Sequence, residues 1–220
     1  MAKEIERKYL VVKEKFEASL RTGIWTHYPV KQGYIKIDTD AEPNISQVRV
    51  SITGNEEYET LKKFDPEGKV YRAPRALLNV KGPVTDGCVR NEYECEIPVN
   101  VGLEILGSCA FRVFKERYKA EFDGFEWAVD VFKMDNEGLI IAETEIESPT
   151  TKIIKPDWIG KEVTYLPQYY NVSLSQYPFN CYDFGKLEKL VGDKKKHARI
   201  KCSGCARYKR CSSPNYDGPR

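Results

Sequence analysis

The sequence predicts an α+β fold: an eight-stranded antiparallel β-barrel tunnel with a polar interior, wrapped by helices and followed by a small cysteine-rich C-terminal tail. Short β-branched and aromatic runs alternate with turn residues from residue 4 to residue 147. Several runs carry charges on one face and apolar side chains on the other. The character of the chain then changes, so we divide it into a barrel domain, residues 1–179, and a basic extension, residues 180–220.

Composition and charge exclude several classes of protein. A chain of 220 residues with 41% hydrophobic content can bury a sizeable core. Lys and Arg number 35 and Asp and Glu number 33, so the net charge of +2 gives no global field for nucleic acid or membrane. No stretch approaches the roughly 20 apolar residues of a membrane helix, and MAKEIERK lacks the core of a secretory signal. We therefore expect a cytoplasmic protein whose seven cysteines are thiols or metal ligands.

The predicted elements follow the chain in order. Strands are expected at residues 4–11, 30–37, 46–53, 76–82, 89–98, 114–122, 125–133 and 139–147. Turn sequences such as SITGNE and FDGF separate them. Short helices are expected at 13–20 and 98–112, and 151–164 is interpreted as a helix end, a loop and a helix start. Residues 54–75 are expected to form an extended hairpin or a disordered loop.

The first strand, EIERKYLV, shows the charge pattern that recurs in later strands. Side chains alternate along a strand, so Glu4, Glu6 and Lys8 share one face while Tyr9 and Val11 lie on the other. Other groups of charged residues that share a strand face are Arg90, Glu92, Glu94 and Glu96; Lys115, Arg117 and Lys119; and Glu143, Glu145 and Glu147. Lys81 and Asp130 add one charge each to two further strands.

Two arrangements explain this pattern. In a β-sandwich the charged face is solvated, and each cross-strand pair contributes only about 0.2–1 kcal/mol. In a closed barrel the acidic and basic strands meet across a tunnel, which the repeated Glu-x-Glu patterns favour. Enclosed carboxylates repel one another without a cation, and enclosed Lys and Arg side chains repel one another without an anion. A divalent cation with a polyphosphate satisfies both demands.

The motifs and their order resemble the CYTH superfamily, the triphosphate tunnel metalloenzymes. Glu4-x-Glu6-x-Lys8 is similar to the ExExK signature of that family. The other matching segments, in family order, are KQGYIK, VRV, LNVKG, RNEYECEI, VFKERY, WAVDVF, IAETEIES, GKEVT and YYNVSLSQYPF. The resemblance covers about residues 3 to 178, and it implies an eight-stranded antiparallel tunnel that binds a triphosphate group with one or two divalent cations, Mg²⁺ or Mn²⁺.

The resemblance also implies roles for individual residues. Glu4, Glu6, Glu143 and Glu145 hold the metal or position the attacking water, and Glu92 and Glu94 assist. The residues implied to bind phosphate oxygens are Lys8, Arg49, Lys81, Lys115 and Arg117. Members of the family include inorganic, thiamine and RNA triphosphatases and class IV adenylyl cyclases, and the fold does not choose among them.

Two positions depart from the family pattern. Ser51 stands where a second arginine follows Arg49, and Gln168 stands where an arginine precedes a tyrosine. Two lost cations weaken phosphate binding and transition-state stabilisation. We predict metal-dependent hydrolysis of inorganic triphosphate or a nucleoside triphosphate. The alternatives are a cyclase that makes cAMP from ATP and a non-catalytic protein that sequesters a nucleotide or oligonucleotide.

The extension carries its own cysteine pattern. Cys202-x2-Cys205-x5-Cys211, with His197 upstream, supplies four ligands for a structural Zn²⁺. The spacing also resembles the iron–sulfur segment of some RecB-like nucleases, with Cys181 as the fourth ligand. Free thiols in a flexible tail are the third interpretation. The basic residues from 194 to 210 either contact nucleic-acid phosphates or form a solvated end. The sequence is compatible with a monomer or a homodimer.

Overall fold

The computed structural model describes residues 2–38, 40–42, 44–61, 63, 71–83 and 89–181, and in the first strand it describes side chains from Ile5 onward. Its strands are β1 (Ala2–Val11), β2 (Thr26–Ile35), β3 (Gln47–Thr53), β4 (Arg75–Lys81), β5 (Val89–Ile97), β6 (Phe111–Phe122), β7 (Phe125–Phe132), β8 (Ile140–Glu145) and β9 (Ile159–Glu162). Its α-helices are α1 (Lys13–Ser19), α2 (Tyr58–Leu61), α3 (Val99–Ser108) and α4 (Asn171–Gln176). Short 3₁₀ turns occupy Leu20–Thr22, Met134–Asn136, Pro167–Tyr169 and Phe179–Cys181.

The first eight strands close into an antiparallel barrel. The neighbours run β5-β4-β3-β2-β6-β7-β8-β1, and β1 pairs again with β5. This closure confirms the predicted barrel and excludes the open sandwich. The domain boundary at residue 179 stays a prediction, because the extension beyond residue 181 lies outside the described residues.

The predicted helix ends in 151–164 are wrong, because this part of the chain forms β9 instead. One edge of β1 pairs with β5 over Ala2–Ile5 and with β9 over Tyr9–Val11. Between them, the Val163 amide donates to the Lys8 carbonyl at 2.8 Å, and the Lys8 amide donates to Thr164 Oγ1 at 3.0 Å. Strand β9 and the two residues that follow it therefore pair with backbone groups of β1. These are groups that β5 leaves unpaired, because β5 diverges from β1 after Ile5.

Apolar side chains form two clusters outside the barrel. Tyr9, Trp127 and Trp158 pack with Phe16 of α1, and Phe16 meets Trp158 with ring centroids 6.1 Å apart. Val50, Ile52 and Ala76 pack against Leu106 of α3 and Cys109. Helices thus cover the outer faces of the sheet, as the alternating sequence pattern predicts.

A third apolar cluster closes one end of the barrel interior. Val113, Phe132 and Ile141 alternate onto the same strand faces as Lys115, Asp130 and Glu143, and they pack with Tyr34 and with Leu174 of α4. The polar part of the interior is therefore a cup that is sealed at this end by side chains.

The described part of the chain contains no helix with both the length and the apolar character needed to cross a bilayer. Cys95 and Cys109 are free thiols.

Helix α3 lies close to the sheet at a single glycine. A Cβ atom on Gly102 would lie 2.5 Å from Ala76 Cβ and 2.8 Å from Ile52 Cδ1. Contacts this short require a shift of the helix. At Gly107, near the end of the same helix, an added Cβ meets nothing within 4 Å.

We expect Gly102→Ala to lower the free energy of unfolding by roughly 1 kcal/mol, because overpacking outweighs the gain in helix propensity. Gly107→Ala is the matched control and should raise it by about 0.5 kcal/mol. Urea denaturation of both variants measures the difference. Equal effects would contradict the close contact between α3 and the sheet.

Candidate active site

A cavity of about 860 Å³ occupies the polar part of the barrel. The predicted site residues that line it are Glu6, Lys8, Arg49, Lys81, Glu92, Glu94, Arg117, Glu143 and Glu145. Glu4 lies in β1 opposite Arg90 in register, and its side chain is outside the described set. His197, Cys202, Cys205 and Cys211 also fall outside the described residues.

Lys8 and Glu143 form the centre of one wall. They are direct partners in the register of β1 and β8, and their charged groups are in contact. Lys8 Nζ also lies 2.8 Å from Glu6 Oε1, and Arg117 donates to Glu143 Oε2 at 3.0 Å. Burial alone would lower the pKa of Lys8, but the charges of Glu143 and Glu6 raise it above its ordinary value.

The carboxyl group of Glu143 responds to the same cluster. Burial alone would raise its pKa, but Lys8, Lys115 and Arg117 hold that pKa well below the ordinary value. Both partners of the Lys8–Glu143 pair therefore stay charged, and the wall is an ion pair at neutral pH.

Asp130 organises a second group of charges behind this wall. Its side chain is 0% exposed, and it accepts from Arg117 Nε and Nη2, both at 2.7 Å, and from Lys115 Nζ. Burial lowers the pKa of Lys115 to about 8, although Asp130 acts in the opposite direction. Lys115 shares the inward strand face of Arg117 but is not among the described residues that line the cavity, and its Nζ lies 3.4 Å from Oδ1 of Asn171, which does line it.

The opposite wall combines β3, β4 and β5. Glu92 Oε2 lies 2.9 Å from Lys81 Nζ, and Glu92 Oε1 lies 3.8 Å from Arg49 Nη2. Asn79 donates to Glu92 Oε1 at 2.8 Å and to Glu94 Oε2 at 2.5 Å. Arg49 Nε is buried and has no hydrogen-bond partner among the described residues. An unsatisfied buried donor on a cation is suited to an anionic oxygen.

Sequence reasoning assigned no role to several polar residues of the site. Those that it missed are Gln32, Tyr34, Asn79, Arg90, Thr164, Tyr170 and Asn171. Strand alternation could have found Asn79, which shares a face with Lys81, and it placed Arg90 on the face of Glu92 without assigning Arg90 a role. Thr164, Tyr170 and Asn171 follow β9 in segments without strand periodicity.

The two departures from the family pattern lie in different surroundings. Ser51 is 3% exposed, and its hydroxyl accepts from Gln32 Nε2 at 3.2 Å. Gln32 in turn accepts from the Tyr34 hydroxyl at 3.4 Å, so these hydrogen bonds around Ser51 join neutral groups, while Arg49 is the register partner of Tyr34. Gln168 lies in the Pro167–Tyr169 turn and is not among the described residues that line the cavity.

The chemistry of the carboxylates fits a hard divalent cation. Glu6 and Glu145 are direct partners in the register of β1 and β8, so two like charges face each other. Carboxylate oxygens are the ligands that such cations prefer. Among the side chains that are described, no three carboxylate, His or Cys groups already converge on one point. Glu6 instead contacts Lys8 and, at 3.2 Å, Arg90. A bound cation would replace these contacts.

A closed antiparallel barrel whose two walls each combine carboxylates and cations is suited to hold a compact polyanion together with a cation. The family model of the CYTH domain matches residues 2–176. The chain belongs to the CYTH family, which confirms the resemblance seen in the sequence. Triphosphatases of this family depend on a metal ion, which supports a divalent cation in general.

Named relatives agree with this assignment. The chain is 39% identical over 181 residues to an inorganic triphosphatase from Acetivibrio thermocellus, a match that covers 81% of this chain and 97% of that protein. A crystal structure of an inorganic triphosphatase is 27% identical, with a TM-score of 0.51 over 80% of this chain and 95% of that one.

We expect Asp130→Asn to lower the free energy of unfolding by about 3 kcal/mol, because it removes the charge that compensates buried Lys115 and Arg117. Glu126→Gln is the control, since it breaks the ion pair with Lys119 in which the Glu126 side chain is 67% exposed. This control should change stability by less than about 0.5 kcal/mol. Urea denaturation measures both, and a small effect at Asp130 would contradict its role as the shared counter-ion.

Proposed function

We propose that this CYTH protein hydrolyses inorganic triphosphate inside its barrel, with Mg²⁺ or Mn²⁺ as the metal. The observation that carries the proposal is the cavity of about 860 Å³, which has charged walls and an apolar closed end. A short linear polyanion matches this geometry, because its negative oxygens reach cations on several strands at once. The family and the named relatives support hydrolysis over simple sequestration.

Four cations are the proposed ligands of the phosphate oxygens. Lys8 and Arg117 approach from one wall, and Arg49 and Lys81 approach from the other. Arg49 Nε is available without breaking a hydrogen bond among the described residues. Lys115 is proposed to act through Asp130, which accepts from both Lys115 and Arg117 and so fixes the guanidinium towards the cavity.

The carboxylates have two proposed tasks. Glu4, Glu6, Glu143 and Glu145 would hold the divalent cation, and Glu92 and Glu94 would orient the attacking water. The cation, when bound, neutralises phosphate charge and lowers the pKa of water. The carboxylates of Glu92 and Glu94 accept hydrogen bonds, so they can orient a water for attack in line with the leaving phosphate.

The cysteine-rich extension is a separate proposal that rests on spacing alone. His197, Cys202, Cys205 and Cys211 would hold a structural Zn²⁺. An iron–sulfur cluster or free thiols are the other outcomes, and elemental analysis of the purified chain distinguishes the three.

The substrate is tested by incubating the chain with Mg²⁺ or Mn²⁺ and separate samples of inorganic triphosphate, ATP and thiamine triphosphate. We expect orthophosphate and diphosphate from inorganic triphosphate at the highest kcat/KM, because this anion has no group too large for the closed cup. Ion chromatography resolves the products. Formation of cAMP from ATP would show a cyclase, and intact triphosphate retained by the chain would show a binding protein.

We expect Glu6→Gln to lower kcat by about 100-fold or more, because a neutral amide replaces a charged ligand of the cation. Glu96→Gln is the matched control: its carboxylate pairs with Arg75 in an exposed ion pair, outside the described cavity wall. Steady-state assays across a Mg²⁺ titration compare the two, and thermal unfolding checks that both remain folded. Full activity of the Glu6 variant would contradict its assignment to the metal site.

A further inference from the structure

Asn79 has an unusual position for a neutral side chain. It lies on the lumen face of β4, two residues before Lys81, and it is 0% exposed. Its Nδ2 group has two hydrogens, and Glu92 and Glu94 accept both. Its Oδ1 atom is buried without a hydrogen-bond partner among the described residues. The orientation of the amide is therefore set by the two carboxylates, since a flip would point Oδ1 at two negative groups.

The contacts of Glu92 within the described residues include two kinds of partner. The first kind is cationic, with Lys81 Nζ at 2.9 Å and Arg49 Nη2 at 3.8 Å. The second kind is the neutral Asn79 amide at 2.8 Å. Both cations are proposed ligands of phosphate, so an incoming triphosphate competes with Glu92 for them. The Glu92 side chain is half-buried, and an enclosed carboxylate that loses its cations without replacement is destabilised.

A neutral donor can remain on Glu92 during this exchange. Both hydrogens of the Asn79 amide are already committed to carboxylates, and the group carries no net charge for the phosphate to attract. Register supports the arrangement, because Asn79 pairs directly with Glu94 on β5 and with Arg49 on β3. The amide therefore sits between the acidic strand and one of the cations that must change partner.

We infer that Asn79 is a positioning residue for anion binding: it holds Glu92 and Glu94 in place while Lys81 and Arg49 move from Glu92 to the phosphate oxygens. The free-energy cost of releasing the two cations falls, because Glu92 keeps its part-buried hydrogen bond from Asn79. This inference rests on the proposed triphosphatase function.

A double-mutant cycle on the full-length chain tests the inference. Inorganic triphosphate is titrated calorimetrically into the protein with EDTA present, so that binding is measured without metal-dependent turnover. We expect Asn79→Ala to weaken triphosphate binding about tenfold. In a Glu92→Gln background, the same change should cost less than about twofold. The carboxylate that exchanges its cations is then gone, and within the described residues Glu94 has no ion pair with Lys81 or Arg49 to lose.

Two further variants separate positioning from structural damage. Gln32→Ala removes another buried lumen amide, but one that donates to the Ser51 hydroxyl and not to a carboxylate. Gln32→Ala should change the affinity for triphosphate by the same factor in the wild-type background and in the Glu92→Gln background. Asn79→Ser keeps one donor and should bind triphosphate with intermediate affinity, which preserves the test if the alanine variant does not fold. Thermal unfolding of each variant identifies folding failures.

The outcomes separate this inference from the proposed function. An equal penalty for Asn79→Ala in both backgrounds would overturn the positioning role and leave triphosphate hydrolysis intact. If the wild-type chain hydrolyses triphosphate with Mg²⁺ but does not bind it in EDTA, Lys81 and Arg49 do not move from Glu92 to the phosphate without the metal. The inference then fails, while the proposed function stands. If the chain neither binds nor hydrolyses triphosphate, both the inference and the proposed function fail.

Discussion

The structure depends on one constraint: each charge that the barrel encloses must meet an opposite charge. A lone buried charge costs several kcal/mol, comparable to the whole stability of many domains. Three enclosed pairs satisfy this constraint as direct partners in strand register: Lys8 with Glu143, Lys81 with Glu92, and Arg117 with Asp130. A strand that slipped by one residue would turn its charges outward and its apolar side chains inward. Charge pairing therefore selects the same register as the outer apolar clusters.

Strand periodicity could predict the barrel and much of its wall because it fixes which face each side chain occupies. Strand periodicity could not predict how deep along the barrel axis each inward side chain lies. Lys115 and Arg117 share a face, yet only Arg117 lines the cavity, while Lys115 is buried against Asp130. Lys115 Nζ lies 5.4 Å from the centre of the Phe132 ring, so Lys115 packs next to the apolar cluster that closes the cup.

The missed elements have a common physical reason. Strand β9 is short and contains Gly160, and it forms because the edge of β1 is vacant there, not because IGKE has strong strand propensity. The contribution of Thr164 depends on a backbone amide of Lys8, which is 156 residues away in the chain. Contacts of this kind are set by tertiary structure, so a local sequence pattern carries no signal for them. The motif order, in contrast, was sufficient to identify the family.

The apolar end of the cup has a consequence for how a substrate enters the barrel and how a product leaves it. Tyr34, Ile141 and Leu174 fill the interior beyond the charged walls, so the part of the chain that the structure describes offers an ion no second exit at this end. A product that forms inside would therefore leave through the same opening by which the substrate entered. The next substrate would bind only after the product has left. A polymer longer than the cup can present only its terminus, which makes the chain end, and not an internal link, the part that the charged walls engage.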